Sequence, residues 1–160
     1  GEDYLRVSSE LRVQLEQEDL GVRPAQLALL ASRFGQDEHW HILNYMIAAR
    51  QAVNQIEHGM RDTRLTPHTV ATLTDALQDA ADGAKAYMRQ PTTPERDEEA
   101  AYLWYAITPA AEAYLTALRT LEKNWREHAS PQQLSDDYYL VTRRYDALLS
   151  YYNRQARNTF

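Results

Sequence analysis

Cysteine is absent from this chain of 160 residues. Without it the protein can form no disulfide, no thiolate nucleophile and no cysteine-ligated zinc site. Glycine is scarce, with five residues, and the glycine-rich phosphate loops, Gly-x-Ser-x-Gly and His-Glu-x-x-His are all missing. No apolar run reaches about 18 residues, so the sequence predicts no membrane span. We therefore expect a protein that is not an enzyme and that uses no cofactor.

Basic residues are also fewer than acidic residues. Lysine and arginine together number 17 against 23 acidic residues, which leaves a formal net charge of −6. Because the phosphates of a nucleic acid would be repelled, we expect no nucleic-acid partner. The fractions of hydrophobic (44%) and charged (25%) residues are ordinary for a globular protein. Length and composition predict a single domain over residues 1–160.

Apolar residues recur at intervals of three and four along most of the chain, which is typical of amphipathic helices. Hydroxyl residues placed before proline, at Thr66-Pro67, Thr93-Pro94 and Ser130-Pro131, mark three helix starts. We expect Gln133 to complete a capping box with Ser130, and Gly59 to end the first long helix. The pattern predicts an all-α fold, an up-and-down antiparallel bundle of four long helices. The core positions predicted from the spacing are Ile42, Tyr45, Met46, Ala49, Val53 and Ile56; Val70, Leu73, Leu77, Ala80, Ala84 and Tyr87; Leu103, Ile107, Ala110, Tyr114, Ala117 and Leu121; and Leu134, Tyr138, Val141, Tyr145, Leu148 and Tyr152.

Two segments have a less regular pattern. Residues 4–15 alternate as a strand would, yet Tyr4, Val7, Leu11 and Leu15 also follow helical spacing. We interpret the segment as an additional N-terminal helix, since a lone strand would have no evident partner. Pro109 lies inside a helical pattern, where it should free one backbone carbonyl and produce a kink.

The stretch "QDEHWHILNYM", residues 36–46, raises the question of a metal site. Glu38 and His41 form a Glu-x-x-His element of the kind found in di-metal helical bundles. His39 and His41 are about 200° apart on a helix, so they cannot bind one ion together. No second Glu-x-x-His element exists. We therefore expect no metal, with these residues forming a polar lip at a helix start.

Tyrosine is abundant, with 11 residues, and it occurs in clusters such as "YLWY" at 102–105 and the pairs at 138–139 and 151–152. In the simpler interpretation the rings fill the seams of the bundle, with their hydroxyls at the wet edge. In the alternative they line a groove for a protein or a small ligand. At about 100° per residue, Tyr152 should face the core and Tyr151 should lie to one side. The candidate contacts are Tyr139, Tyr151, Tyr102 and Tyr105.

The C-terminal "RRYDALLSYYNRQARNTF", residues 143–160, resembles the tyrosine-rich terminal helix of the YiiG-like family of bacterial lipoproteins. The Tyr-Asn rhythm of that family is represented here by Tyr145 with Asp146 and by Tyr152 with Asn153. The segment "HILNYMIAARQAVNQI", residues 41–56, is similar to an internal helix of the same family.

The resemblance implies a helical protein of unknown biochemical function, exported and anchored by a lipidated cysteine upstream of Gly1. It supplies no catalytic residues. Two functions follow as alternatives. The first is a non-enzymatic binding or scaffolding module on the periplasmic side of the cell envelope, held at the membrane only through a removed N-terminal anchor. The second is a cytosolic helical adaptor or regulator that binds a partner helix.

Overall fold

The structure, a computed structural model, describes residues 40–88 and 98–159. Within these ranges the chain forms α-helices and no strand, which confirms the predicted all-α bundle. The helices are α1 (Trp40–Arg61), α2 (Pro67–Met88), α3 (Glu98–Arg126) and α4 (Pro131–Thr159). The segment 4–15 and the predicted start at Thr93-Pro94 lie outside the described residues. None of the described helices is both long and apolar enough to cross a membrane.

Each helix packs against the next, and α1 also meets α4, so the four helices close into a ring. Contacts between neighbours show that every pair is antiparallel. Along the α1–α2 seam, for example, His41 near the start of α1 stacks on Tyr87 near the end of α2. Gly59 near the end of α1 approaches Leu65, which precedes the start of α2. The up-and-down order follows from these short connections.

The core contains the apolar positions that the sequence predicted. Of those positions, five are half-buried and all others are buried: the half-buried ones are Leu73, Ala80, Ala110, Leu134 and Tyr138. Helix α1 is buried on most of its circumference and has few exposed side chains before its end. Tyr114 of α3 crosses the bundle, and its hydroxyl donates a hydrogen bond to the carbonyl of Ala49 in α1 at 2.9 Å. The core therefore joins all four helices.

Helix α1 ends in a Schellman turn, in which Thr63 adopts a left-handed conformation with φ of 54°. The N–H of Arg64 donates to the carbonyl of Gly59 at 3.0 Å. The prediction that Gly59 ends the helix is wrong, since the helix continues to Arg61. Gly59 is instead a point of close approach: a Cβ there would lie 3.0 Å from the Cβ of Leu65. Glycine lets the turn fold tightly against the helix.

Helix α3 ends in the same kind of turn. His128 has φ of 60°, and the N–H of Ala129 donates to the carbonyl of Asn124 at 2.9 Å. The side chain of Asn124 donates across the turn to the buried carboxylate of Asp137 in α4 at 2.7 Å. This hydrogen bond ties the end of α3 to the first turns of α4.

The caps of α2 and α4 confirm two of the predicted helix starts. The Oγ1 of Thr66 accepts the N–H of Thr69 at 3.2 Å, and the Oγ of Ser130 accepts the N–H of Gln133 at 3.2 Å. The predicted capping box is only half present. The Gln133 side chain does not turn back to accept from the N–H of Ser130. It turns forward and donates to the buried carboxylate of Asp137 at 2.9 Å, a charge-assisted hydrogen bond.

Helix α3 continues through Pro109. Proline has no N–H to donate to the carbonyl four residues earlier, at Tyr105. Both Pro109 and Tyr105 are exposed, so the missing bond lies on the outer face, where water can replace it. The hydroxyl of Thr108 donates to the carbonyl of Trp104 at 2.7 Å.

Candidate functional site

A groove of about 150 Å³ lies between α2 and α3; we call it the aromatic groove. Its floor is formed by the rings of Tyr45 and Trp104, whose centroids are 5.4 Å apart and whose planes meet at 86°. Leu77, Ala81 and Leu115 form apolar walls. Edge-to-face packing is a favourable arrangement for aromatic rings, so the floor is fixed by the core.

The rim of the aromatic groove is polar. Asp82 and Lys85 contribute charges from α2, and Glu112 contributes a second carboxylate from α3. Gln78 donates to the Oδ1 of Asp82 at 3.0 Å and accepts a hydrogen bond from Arg119 of α3 at 3.4 Å. The rim therefore carries one net negative formal charge. The hydrogen bond from Arg119 to Gln78 connects α3 to α2 at one end of the groove.

Helical spacing places these side chains together. Gln78, Asp82 and Lys85 follow one another at intervals of four and three residues on α2, which puts them on one face. On α3, Tyr105 and Glu112 are seven residues apart and share a face in the same way. Burial raises the pKa of Tyr45 well above its usual value, so its phenol stays neutral in the floor of the groove.

The four tyrosines singled out from the sequence do not meet at one place. Tyr105 lines the aromatic groove and is 58% exposed. Tyr102 lies one turn earlier on α3 and is more exposed, but it is not among the groove's lining residues. On α4, Tyr139 accepts a hydrogen bond from the exposed Arg143 at 3.1 Å. Tyr151 is half-buried, with the Arg154 guanidinium 5.4 Å from its ring centre.

The sequence interpretation missed most of the residues that form the groove. Trp104 was noted only as part of the "YLWY" cluster, and Tyr45 only as a core position. The sequence places Asp82, Lys85 and Glu112 on the polar faces of their helices, but every solvated helix has such a face. Which two faces oppose each other depends on how the helices rotate against one another.

A larger cavity, about 320 Å³, lies at the end of the bundle where the two Schellman turns meet. Its lining is almost entirely apolar, with Met60, Leu65, Trp125 and Leu134 among the lining residues. Ligand sites usually combine apolar surface with a few converging polar groups. The aromatic groove has both, and is therefore the better candidate.

The predicted polar lip at the start of α1 is described in part. Glu38 and His39 lie outside the described residues. His41 is half-buried, and its ring stacks on Tyr87 with centroids 4.2 Å apart. Among residues 40–88 and 98–159, no group of three or more His, Asp or Glu side chains is placed to hold a metal ion.

Over the described residues, the fold is a bundle of four helices with an aromatic-floored surface groove. In a comparison with known protein families, the family model described as "Protein of unknown function (DUF3829)" matches residues 2–154 of the chain. The chain belongs to this family. No curated protein and no solved structure matches it.

Proposed function

We propose that this protein is a non-enzymatic binding module of the cell envelope, anchored on the periplasmic side of the membrane through a lipidated N-terminal segment, and that its ligand binds in the aromatic groove. The location is supported by the resemblance of residues 41–56 and 143–160 to helices of YiiG-like lipoproteins. The binding role is supported by the groove itself, which combines a fixed aromatic floor with a charged rim.

The chemistry of the groove favours a positively charged group attached to an apolar body. Two carboxylates, Asp82 and Glu112, face one ammonium at the rim, so a cation gains more from the rim than an anion does. Exposed Tyr105 offers a ring face to the same cation. An arginine or lysine side chain of a partner protein, or a small organic cation, has this composition.

We assign no reaction to the groove, and two of its polar side chains take part in hydrogen bonds within their own helices. Asp82 accepts from Gln78, and the hydroxyl of Thr108 is committed to the carbonyl of Trp104. These bonds position the rim for recognition. The apolar floor would then bind the body of the ligand by excluding water.

Three probes with the same ring and different charge test this proposal: benzamidine (positive), benzamide (neutral) and benzoate (negative). Binding is followed by chemical-shift changes of the indole N–H of Trp104. We expect benzamidine to bind more tightly than benzamide, and benzoate to bind most weakly. Equal affinities would contradict a role for the charged rim. Strongest binding by benzoate would show that the groove prefers anions to cations.

Tyr105→Ala has a matched control in Tyr139→Ala, since the two rings are 58% and 60% exposed and only Tyr105 lines the groove. A cation over an aromatic ring contributes about 0.5–2 kcal/mol, so Tyr105→Ala should weaken benzamidine binding about 2- to 30-fold. Tyr139→Ala should bind as the unaltered protein does. The same loss in both variants would exclude the groove as the site.

Fractionation of cells that express the full gene tests the location. We expect the product in the membrane fraction, labelled by radioactive palmitate, and released as a soluble protein when its N-terminal segment is removed. A product found unlabelled in the cytosol would favour the alternative of a cytosolic adaptor.

A further inference from the structure

A second polar feature lies on α1, away from the aromatic groove. Arg50, Asn54, Glu57, His58 and Arg61 line a cavity of about 160 Å³, which we call the polar cleft. Their spacing places them along one stripe of an otherwise largely buried helix. Tyr145 of α4 interacts with Arg50, and Tyr138 of α4 interacts with Glu57 and Arg61. Both tyrosines therefore lie beside this stripe.

Two donor nitrogens in the polar cleft are buried and have no hydrogen-bond acceptor: Nε of Arg50 and Nδ2 of Asn54. Buried donors without acceptors are unfavourable, and most proteins pair them with a protein group, ordered water or a ligand. Arg50 and Asn54 lie one helical turn apart, and both residues line the same cavity. One acceptor placed between the two side chains would therefore pair both donors.

The charges of the described lining residues indicate the charge of that acceptor. Glu57 accepts from Nη2 of Arg61 at 2.5 Å, so these two charges are paired. Arg50 has no carboxylate partner among the residues lining the cleft. Its guanidinium lies near Tyr145, where burial raises the pKa of the phenol and the charge of Arg50 opposes that rise. The cleft thus holds one uncompensated positive charge in a protein with a net charge of −6.

We propose that the polar cleft between α1 and α4 is a binding site for a singly charged oxyanion, which accepts hydrogen bonds from Nε of Arg50 and Nδ2 of Asn54. A carboxylate and a phosphodiester share the required chemistry, one negative charge spread over oxygen atoms. Arginine suits both, since its planar group offers donors in a fixed arrangement. This site is separate from the aromatic groove, because α1–α4 and α2–α3 are opposite seams of the ring.

The direct test is an NMR titration of the protein with acetate and, separately, with dimethyl phosphate, using chloride at the same ionic strength as reference. The signal observed is the Nε–H of Arg50, with exposed Arg143 as internal control. We expect at least one of the two oxyanions to shift the Arg50 signal saturably, while Arg143 does not change. A response to acetate alone identifies a carboxylate site, and a response to dimethyl phosphate alone identifies a phosphodiester site. If neither shifts Arg50 more than chloride does, the cleft holds only water and the proposal is wrong.

Asn54→Asp adds an independent test, because it replaces the unpaired donor by a carboxylate that can accept from Arg50. We expect this variant to bind the oxyanion at least tenfold more weakly and to melt at a higher temperature than the unaltered protein. Gln55→Glu is the matched control: it makes the same amide-to-carboxylate change one residue further on, at an exposed position. It should bind and melt like the unaltered protein. Undiminished binding by Asn54→Asp, or the same effects in both variants, would overturn the assignment.

Discussion

Tyr151 and Tyr152 allow a direct comparison of core and surface, because they are adjacent residues of the same type on one helix. Tyr152 is 3% exposed and belongs to the core, while Tyr151 is half-buried at its edge. This placement confirms the stripe predicted from helical spacing. Replacing each in turn with alanine removes the same atoms from two different environments.

The magnitudes follow from the area that each ring buries. A fully buried aromatic side chain removes roughly 150–250 Å² from water, and at about 25 cal/mol per Å² this is worth about 4–6 kcal/mol. That value is an upper limit, because the unfolded chain already buries part of this surface. Tyr152→Ala should therefore lower the free energy of unfolding by about 3–5 kcal/mol, as in other aromatic-to-alanine core substitutions.

For Tyr151→Ala we expect a loss of about 1 kcal/mol or less. Part of its ring stays in water, and the contact with the exposed side chain of Arg154 contributes little at such a site. In a protein of this size each kcal/mol changes the melting temperature by about 2–4 °C. Tyr152→Ala should thus melt about 6–20 °C below the unaltered protein, and Tyr151→Ala about 4 °C or less below it.

Urea unfolding followed by circular dichroism measures both free energies, and the slope of each transition shows whether the unfolded state is unchanged. Equal losses in the two variants would show that the orientation of α4 is wrong. That result would also weaken the assignment of Tyr145, which shares the stripe with Tyr152 and contacts the polar cleft.

The remaining predictions concern glycines and pH. Gly59→Ala should destabilise the protein by about 1–2 kcal/mol although alanine favours a helix, because the new Cβ would lie 3.0 Å from Leu65. Gly83→Ala is the control, since nothing lies within 4 Å of its Cβ position. In the same urea assay it should stabilise the protein by about 0.5–1 kcal/mol. Destabilisation by both would refute the steric argument. Burial also raises the pKa of Tyr45 and of Tyr114, so the folded state keeps phenol protons that the unfolded chain loses above about pH 10. Their contribution to stability is complete below that pH and is lost as the pH rises. The urea midpoint should therefore fall from about pH 9 to about pH 11, and should fall less in Tyr45→Phe; an equal fall would assign the effect to other groups.

Much of the fold was predictable because burial in a helical bundle repeats with the period of the helix. Ile42, Leu77 and Leu148 are buried where three-and-four spacing placed them. The caps at Thr66 and Ser130 were also predictable, since they depend only on neighbouring residues. Local rules thus account for most of the helix positions.

The errors occur where a side chain a few residues away changes the preference expected from the capping pattern alone. Gly59 resembles a helix end in sequence, but its role is to admit Leu65. Gln133 resembles half of a capping box, but Asp137 attracts its side chain. Gly59 and Leu65 are six residues apart, and Gln133 and Asp137 are four apart. Both contacts are therefore local, but a rule that considers only the residue type at a helix start or end does not include them.

The candidate sites show the same limit. Tyr105 was named from the sequence, while its neighbours across the groove on α2 were not, because pairing two helix faces requires their relative rotation. The polar stripe from Arg50 to Arg61 had a readable signal. Its polar residues recur on one face of a helix that is largely buried, and buried polar groups usually have a partner.

The α1–α4 seam differs from the other three in a way that affects how the bundle assembles. It is the sparsest seam in the described part of the chain, it is lined by polar groups, and it joins segments far apart in sequence. The α1–α2 and α3–α4 hairpins close through short turns and can form early, because little chain entropy is lost in closing them. We therefore expect the α1–α4 seam to close late in folding. We also expect it to need the least free energy to separate in the native state, so amide hydrogen exchange should show the bundle opening there first.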